Sequence, residues 1–169
     1  MNLATKQRDY RPWLLLLIAI VIVLDHITKM WDIKHVPLGH AIVVIPKVFR
    51  ITHVLNTGAA FSLFAESTSP EFVHRVLVGF SIFAIIVVLA LLLNIGRTVT
   101  STSLALALIL GGAVGNLYDR LRYKYVVDFI EVHIIHYHWP DFNVADSCIV
   151  IGACLLILEI FRPMPTHEA

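Results

Sequence analysis

Long uncharged runs alternate along this chain with short polar or strand-like segments. About 20 apolar residues are needed to cross the hydrocarbon of a bilayer. Val76–Leu93 and Thr98–Tyr118 contain no charged residue, and Phe142–Phe161 carries only Asp146 near one end and Glu159 near the other. Trp13–Trp31 is apolar as far as Leu24, then turns polar at Asp25, His26 and Lys29. The pattern predicts a mainly α, four-transmembrane-helix bundle in a single domain over 1–169. Its spans are expected at 13–31, 72–94, 98–118 and 142–161. Both termini then lie on one side, and the loops 32–71 and 119–141 lie on the other.

The first of these loops has internal structure. "AIVVI" (41–45) is β-branched, Pro46-Lys47 breaks it, and "VFRITHVL" (48–55) resumes strand-forming residues, which predicts a small β-hairpin. "NTGAAFS" (56–62) reads as a turn into small residues, and a short interfacial helical segment is expected near 59–68. Ser69-Pro70-Glu71 marks a helix start, with an N-cap serine and proline at the first helical position.

Composition agrees with lipid rather than water. The 169 residues are 58% hydrophobic and 15% charged, with a mean hydropathy of +0.80; a soluble domain has about 45–50% apolar and about 25% charged residues. A formal net charge of +1 argues against a nucleic-acid partner. Lys6, Arg8 and Arg11 before a short apolar core resemble a secretory signal, but "DHITKMW" follows where a small-x-small cleavage site belongs, so the segment reads as a retained span. Of 13 Lys and Arg, five (Lys6, Arg8, Arg11, Arg97, Arg162) fall on the terminal side and eight on the other. The positive-inside count therefore leaves orientation open, although the cluster ahead of the first span favours termini inside. Cys148 and Cys154 share the last span, about 9 Å apart in rise and turned to different sides. They read as packing residues.

Polar residues at the outer boundary carry the candidate chemistry. Asp25 and Lys29 stand four apart, acid first, the favourable order for a helical ion pair. Ala107, Gly111 and Gly115 make a smooth face for a neighbouring helix, with Gly112, Asn116 and Arg120 as an adjacent stripe. Asn116, Asp119 and Arg120 thus project from the outer end of a tightly packed helix, where polar groups are costly unless satisfied. Asn143 and Asp146 fit a capping box at the start of the last span, which accounts for neither Asp128 nor its β-leaning surroundings, "YVVDFI". His133, His136 and His138 match neither H-E-x-x-H nor one helix or strand face, and read as solvated loop residues rather than a metal site.

Close carboxylates in a low-dielectric setting do not all ionise, and a pair sharing one proton supplies acid and base together. Amide hydrolysis by activated water needs that combination. Residue chemistry alone leaves the pair open among Asp119, Asp128, Asp141 and Asp146. Two rival readings are a small transporter with a proton relay, and an assembly subunit docking through its glycine face.

Taken together, "DHITK" (25–29), "NTGAAFS" (56–62), "GGAVGNLYDR" (111–120), "VVDF" (126–129) and "FNVADS" (142–147) resemble the bacterial lipoprotein signal peptidases (signal peptidase II) across essentially the whole chain. The resemblance implies an aspartyl endopeptidase of the bacterial inner membrane, with cytoplasmic termini and a periplasmic site and β element. It would cleave diacylglyceryl-modified prolipoproteins just before the lipidated cysteine, and be blocked by globomycin-type peptides. It puts the catalytic pair at Asp128 and Asp146, with support from Asp25, Lys29, Asn56, Gly58, Asn116, Asp119, Arg120 and Asn143. No cofactor or metal is expected; membrane lipid and the prolipoprotein are the expected partners, and the chain is expected to be a monomer. His26, where the family commonly has glutamine, and the histidine-rich connection are departures from its pattern.

Overall fold

The computed structural model describes residues 9–58, 69–135 and 137–161. The segment 59–68, where an interfacial helical segment is expected, lies outside the described residues, as does His136. The elements run α1 (Arg11–His35), β1 (Ala41–Ile45), β2 (Phe49–Asn56), α2 (Pro70–Ile95), α3 (Ser101–Tyr123), β3 (Val126–Ile134), β4 (Tyr137–His138) and α4 (Val144–Ile160).

Helix ends follow local chemistry. Ser69 caps α2, its side chain accepting from the Phe72 N–H at 3.2 Å, with Pro70 in the first turn. Thr100 and Ser103 close a capping box on α3, which ends where Lys124 turns left-handed at φ 71°. Asn143 and Asp146 close another on α4. Among these helices, α1, α2 and α3 are long and apolar enough to cross a membrane, with peak mean hydropathies of 2.0, 3.2 and 1.4. α4 has 17 residues, about 25 Å of rise.

α3 lies at the centre, packed on α1, α2 and α4. Leu14, Ile18, Leu92, Leu106, Ala107 and Leu110 form the core. The glycine face does what its spacing predicts. A Cβ on Gly111 would come 2.8 Å from Val21 Cβ of α1, and one on Gly112 would run into the Ala145 carbonyl oxygen of α4. A Cβ on Gly115 would meet Asp25 Oδ2 at 2.8 Å. Outward, α2 presents Phe80, Phe83 and Ile86, each more than 60% exposed. Apolar surface of this extent suits lipid, not water.

The hairpin expected at 41–55 forms, with β1 antiparallel to β2 and Ala41 opposite Thr52. The expected outer loop 119–141 is corrected: α3 runs on to Tyr123, carrying Asp119 and Arg120, and the next residues add β3 and β4 to a sheet of order β1-β2-β3-β4. β3 is buried along Val126–Phe129, in line with the β-leaning residues around Asp128. His133 and His138 are consequently paired across a β3–β4 hairpin, not carried in a loop. Across β2 and β3, Arg50 donates to both oxygens of Glu131, and this cation holds the Glu131 carboxyl down at about 2.

Candidate active site

Three backbone arrangements converge under the sheet. β2 pairs with β3 so that Val54 faces Asp128 and Asn56 faces Val126, which brings the Asn56 side chain alongside Asp128. The chain returning from β4 is pinned to β3: Phe129 and Ile130 donate to the Phe142 carbonyl at 3.0 and 2.8 Å, and Phe142 donates back to Ile130 at 3.1 Å. Asn143, next along, is therefore fixed against β3 as α4 begins. Finally, the Ala145 N–H in the first turn of α4 donates to Asp25 Oδ1 at 2.9 Å. An acid suits that place, where helix N–H groups lack intrahelical partners.

The side chains then form one connected network. Asp128, buried, accepts from Asn56 Nδ2 at 2.9 Å and from Asn143 Nδ2 at 2.7 Å. Asn56 is itself oriented, because its Oδ1 takes the Gly58 N–H at 2.9 Å. Gly58 adopts φ +81°, where a side chain is strained and would also collide with Leu77. Asp146, half-buried, accepts from Asn116 Nδ2 at 2.7 Å and from the Asn143 N–H at 3.3 Å. Asn143 thus touches both carboxylates, Asp128 through its amide and Asp146 through its backbone.

Beneath Asn116 sits a fully buried ammonium. Lys29 Nζ donates to Asp25 Oδ2 at 2.7 Å and to Asn116 Oδ1 at 3.0 Å, and pairs with Asp119 Oδ2 at 2.7 Å. Two hydrogen bonds and two carboxylate partners compensate the charge, as a buried lysine requires. The Asp25–Lys29 pair expected from spacing is present, but it does more than tie down a helix end: Lys29 fixes the amide that holds Asp146. The Arg120 guanidinium, half-buried, lies 3.5 Å from the Asn116 carbonyl and in the field of Asp146, Asp128 and Asp119.

All ten residues singled out from the sequence therefore lie in or against this network. The two remaining candidate carboxylates are otherwise engaged, Asp119 inside the network and Asp141 outside it. Asp119 is neutralised by Lys29, and Asp141 accepts from Thr52 Oγ1 at 2.9 Å on the sheet. Asp128 is pushed up to about 6, first by burial and then by the charge of Asp146, against the pull of the Asn56 and Asn143 hydrogen bonds. A carboxyl titrating there exchanges a proton near neutral pH, which suits general acid–base work on water.

A family model described as Signal peptidase (SPase) II matches residues 17–162. The chain belongs to the signal peptidase II family. The lipoprotein signal peptidase of Pseudomonas fluorescens (strain Pf0-1) is 42% identical over 158 residues, covering 93% of this chain and 90% of that protein. That of Pseudomonas aeruginosa (strain UCBPP-PA14) is 43% identical over 159 residues, 94% and 92% of the two chains. That of Solibacter usitatus is 41% identical over 145 residues, 86% and 88%. Among solved structures, a bacterial membrane enzyme determined by the in meso method at 1.9 Å resolution superposes with a TM-score of 0.83 at 27% identity, covering 94% of this chain and 98% of that one. The signal peptidase II chain described here is thus a peptidase of a multi-pass membrane type.

Sequence reasoning missed two buried acids. Asp32 is fully buried at the outer end of α1, 3.8 Å from His53 Nδ1, and neither of its oxygens accepts a hydrogen bond. Its signal was the 25-29-32 spacing, one helical face. Glu131 was passed over for the histidines, although two-residue spacing puts it on one strand face with His133.

Proposed function

We propose that this chain is a membrane aspartyl endopeptidase that removes the signal peptide from diacylglyceryl-modified prolipoproteins just before the lipidated cysteine. Asp128 and Asp146 are the catalytic pair. One carboxylate takes a proton from water, whose oxygen attacks the scissile carbonyl carbon, while the protonated partner donates toward the carbonyl oxygen. Collapse of the tetrahedral adduct breaks the C–N bond, and the proton gathered by the base goes to the leaving nitrogen. Asp25, Lys29, Asn56, Gly58, Asn116, Asp119, Arg120 and Asn143 orient the pair.

The observation that carries this reading is Asn143 bonding both aspartates, its Nδ2 2.7 Å from Asp128 Oδ1 and its N–H 3.3 Å from Asp146 Oδ2. The matching relatives named lipoprotein signal peptidase support the substrate class. The same reading makes α4 a fourth span in a single domain over 1–169, working as a monomer. It sets the protein in the bacterial inner membrane with cytoplasmic termini and the pair at the periplasmic face, open to globomycin-type peptides.

Cleavage of a lipidated precursor by purified Asp128→Asn, Asp146→Asn and Asp141→Asn tests the assignment. The first two are expected to lose turnover by about 10²- to 10⁴-fold, on the scale of removing an acid–base group, and the third to stay within a few-fold. Near-normal turnover in either dyad variant overturns it.

A further inference from the structure

We propose that Glu131, His133 and His138 form a binding site for a single zinc-type divalent ion on the outer hairpin, separate from the aspartate pair. β-strand periodicity puts Glu131 and His133 on one face of β3, and the hairpin register sets His138 directly across from His133. Their three ligand atoms all lie within 4.8 Å of one another. His133 Nε2 is 3.2 Å from Glu131 Oε1; a tetrahedral zinc with bonds of about 2.0–2.1 Å sets its donors roughly 3.3 Å apart. His138 Nε2 contacts the same oxygen, so Oε1 is the carboxylate atom both imidazoles face.

Two further features point to a ligand. His133 Nε2 is shielded from solvent and makes no hydrogen bond with acceptable geometry, a ring nitrogen with an unfilled role. Arg50 Nε holds the far oxygen, Glu131 Oε2, in the way outer partners orient metal-ligating carboxylates. The ion displaces the Arg50 Nη2 contact on Oε1 and keeps the Nε contact on Oε2. A cavity of about 650 Å³ lined by Val43, Pro46, Lys47, Arg50, His133 and Ile135 gives access from outside the sheet. Two imidazoles and one carboxylate suit zinc and its late first-row neighbours over calcium or magnesium.

Glu131 and Asp128 stand three apart on β3, on opposite faces, so the ion does not enter the aspartate network. Its effect is to clamp β4 onto β3 in the hairpin that precedes Asn143.

The test is isothermal titration of Zn²⁺ into the tag-free full chain in detergent, beside His133→Gln, His138→Gln and Asp141→Asn. One zinc per chain is expected for the unsubstituted protein and Asp141→Asn, weakened at least 100-fold in each histidine variant, with peptidase activity without metal unchanged in His138→Gln. Mg²⁺ is expected not to compete. Absence of zinc binding in the unsubstituted chain overturns the proposal, as does zinc affinity that survives both histidine substitutions.

Discussion

Asn143 has two jobs in this fold, and substitution with serine separates them. Serine is as good an N-cap as asparagine, so Asn143→Ser keeps the start of α4 while withdrawing the amide that reaches Asp128 at 2.7 Å. Both groups are buried, so solvent does not replace the lost donor. A hydrogen bond to a charged group contributes about 1.5–3 kcal/mol. At 1.36 kcal/mol per pH unit, its loss raises the Asp128 carboxyl by about one to two units above its value of about 6. The sign follows from the bond favouring the ionised form. The native state already holds this proton more tightly than an unfolded chain. The stability this group contributes is therefore full below about 4 and lost as pH rises through about 6; in Asn143→Ser that window extends upward. If the bond is worth as much in the transition state, kcat/KM falls about 10- to 150-fold. The assay is the pH profile of kcat/KM on a lipidated precursor, with thermal unfolding alongside and Asn143→Ala as the variant that also loses the cap, at about 1 kcal/mol. An Asn143→Ser enzyme with unchanged kcat/KM and an unmoved profile would reduce Asn143 to a helix cap and refute the coupling.

Lys29→Met strands the carboxylates of Asp25 and Asp119 around a neutral side chain, and breaking a buried pair from one side costs about 3–5 kcal/mol. Thermal unfolding in detergent is expected to show the loss, and adding Asp25→Asn and Asp119→Asn is expected to recover much of it. A triple variant no more stable than Lys29→Met would show that charge compensation is not what the lysine does. Gly112→Ala drives a methyl into the Ala145 carbonyl, an overpacking of about 1–3 kcal/mol that must shift the start of α4. Melting temperature and turnover are expected to fall together, and a fall in neither sinks the close-approach account.

Elements with long periodic signals were legible from the chain. α2 and α3 follow from uncharged runs and their caps, and β1–β2 from a β-branched stretch with a break. The acids and amides of the site were legible because polar groups at a membrane boundary are costly and so conspicuous. β3 was only hinted at by its β-leaning residues, since Val126–Phe129 is buried on both faces and its pairing with β2 joins residues 70 or more positions apart. Glu131 escaped for a related reason: its partner Arg50 sits on a different strand. Family resemblance, not residue chemistry, singled out Asp128 and Asp146. The physical distinction is tertiary, with Lys29 neutralising Asp119 and Thr52 engaging Asp141.

The 17 residues of α4 rise about 25 Å, against a hydrocarbon thickness of about 30 Å. On the four-span reading the bilayer must dimple beside this helix or the helix must sit low, and either response carries a small cost for each ångström of mismatch. Asp146 rides in the first turn of α4, whereas Asp128 rides on the sheet, so membrane thickness acts on the seam between them. Acyl-chain length is therefore expected to bear on the seam between the helix that carries Asp146 and the strand that carries Asp128.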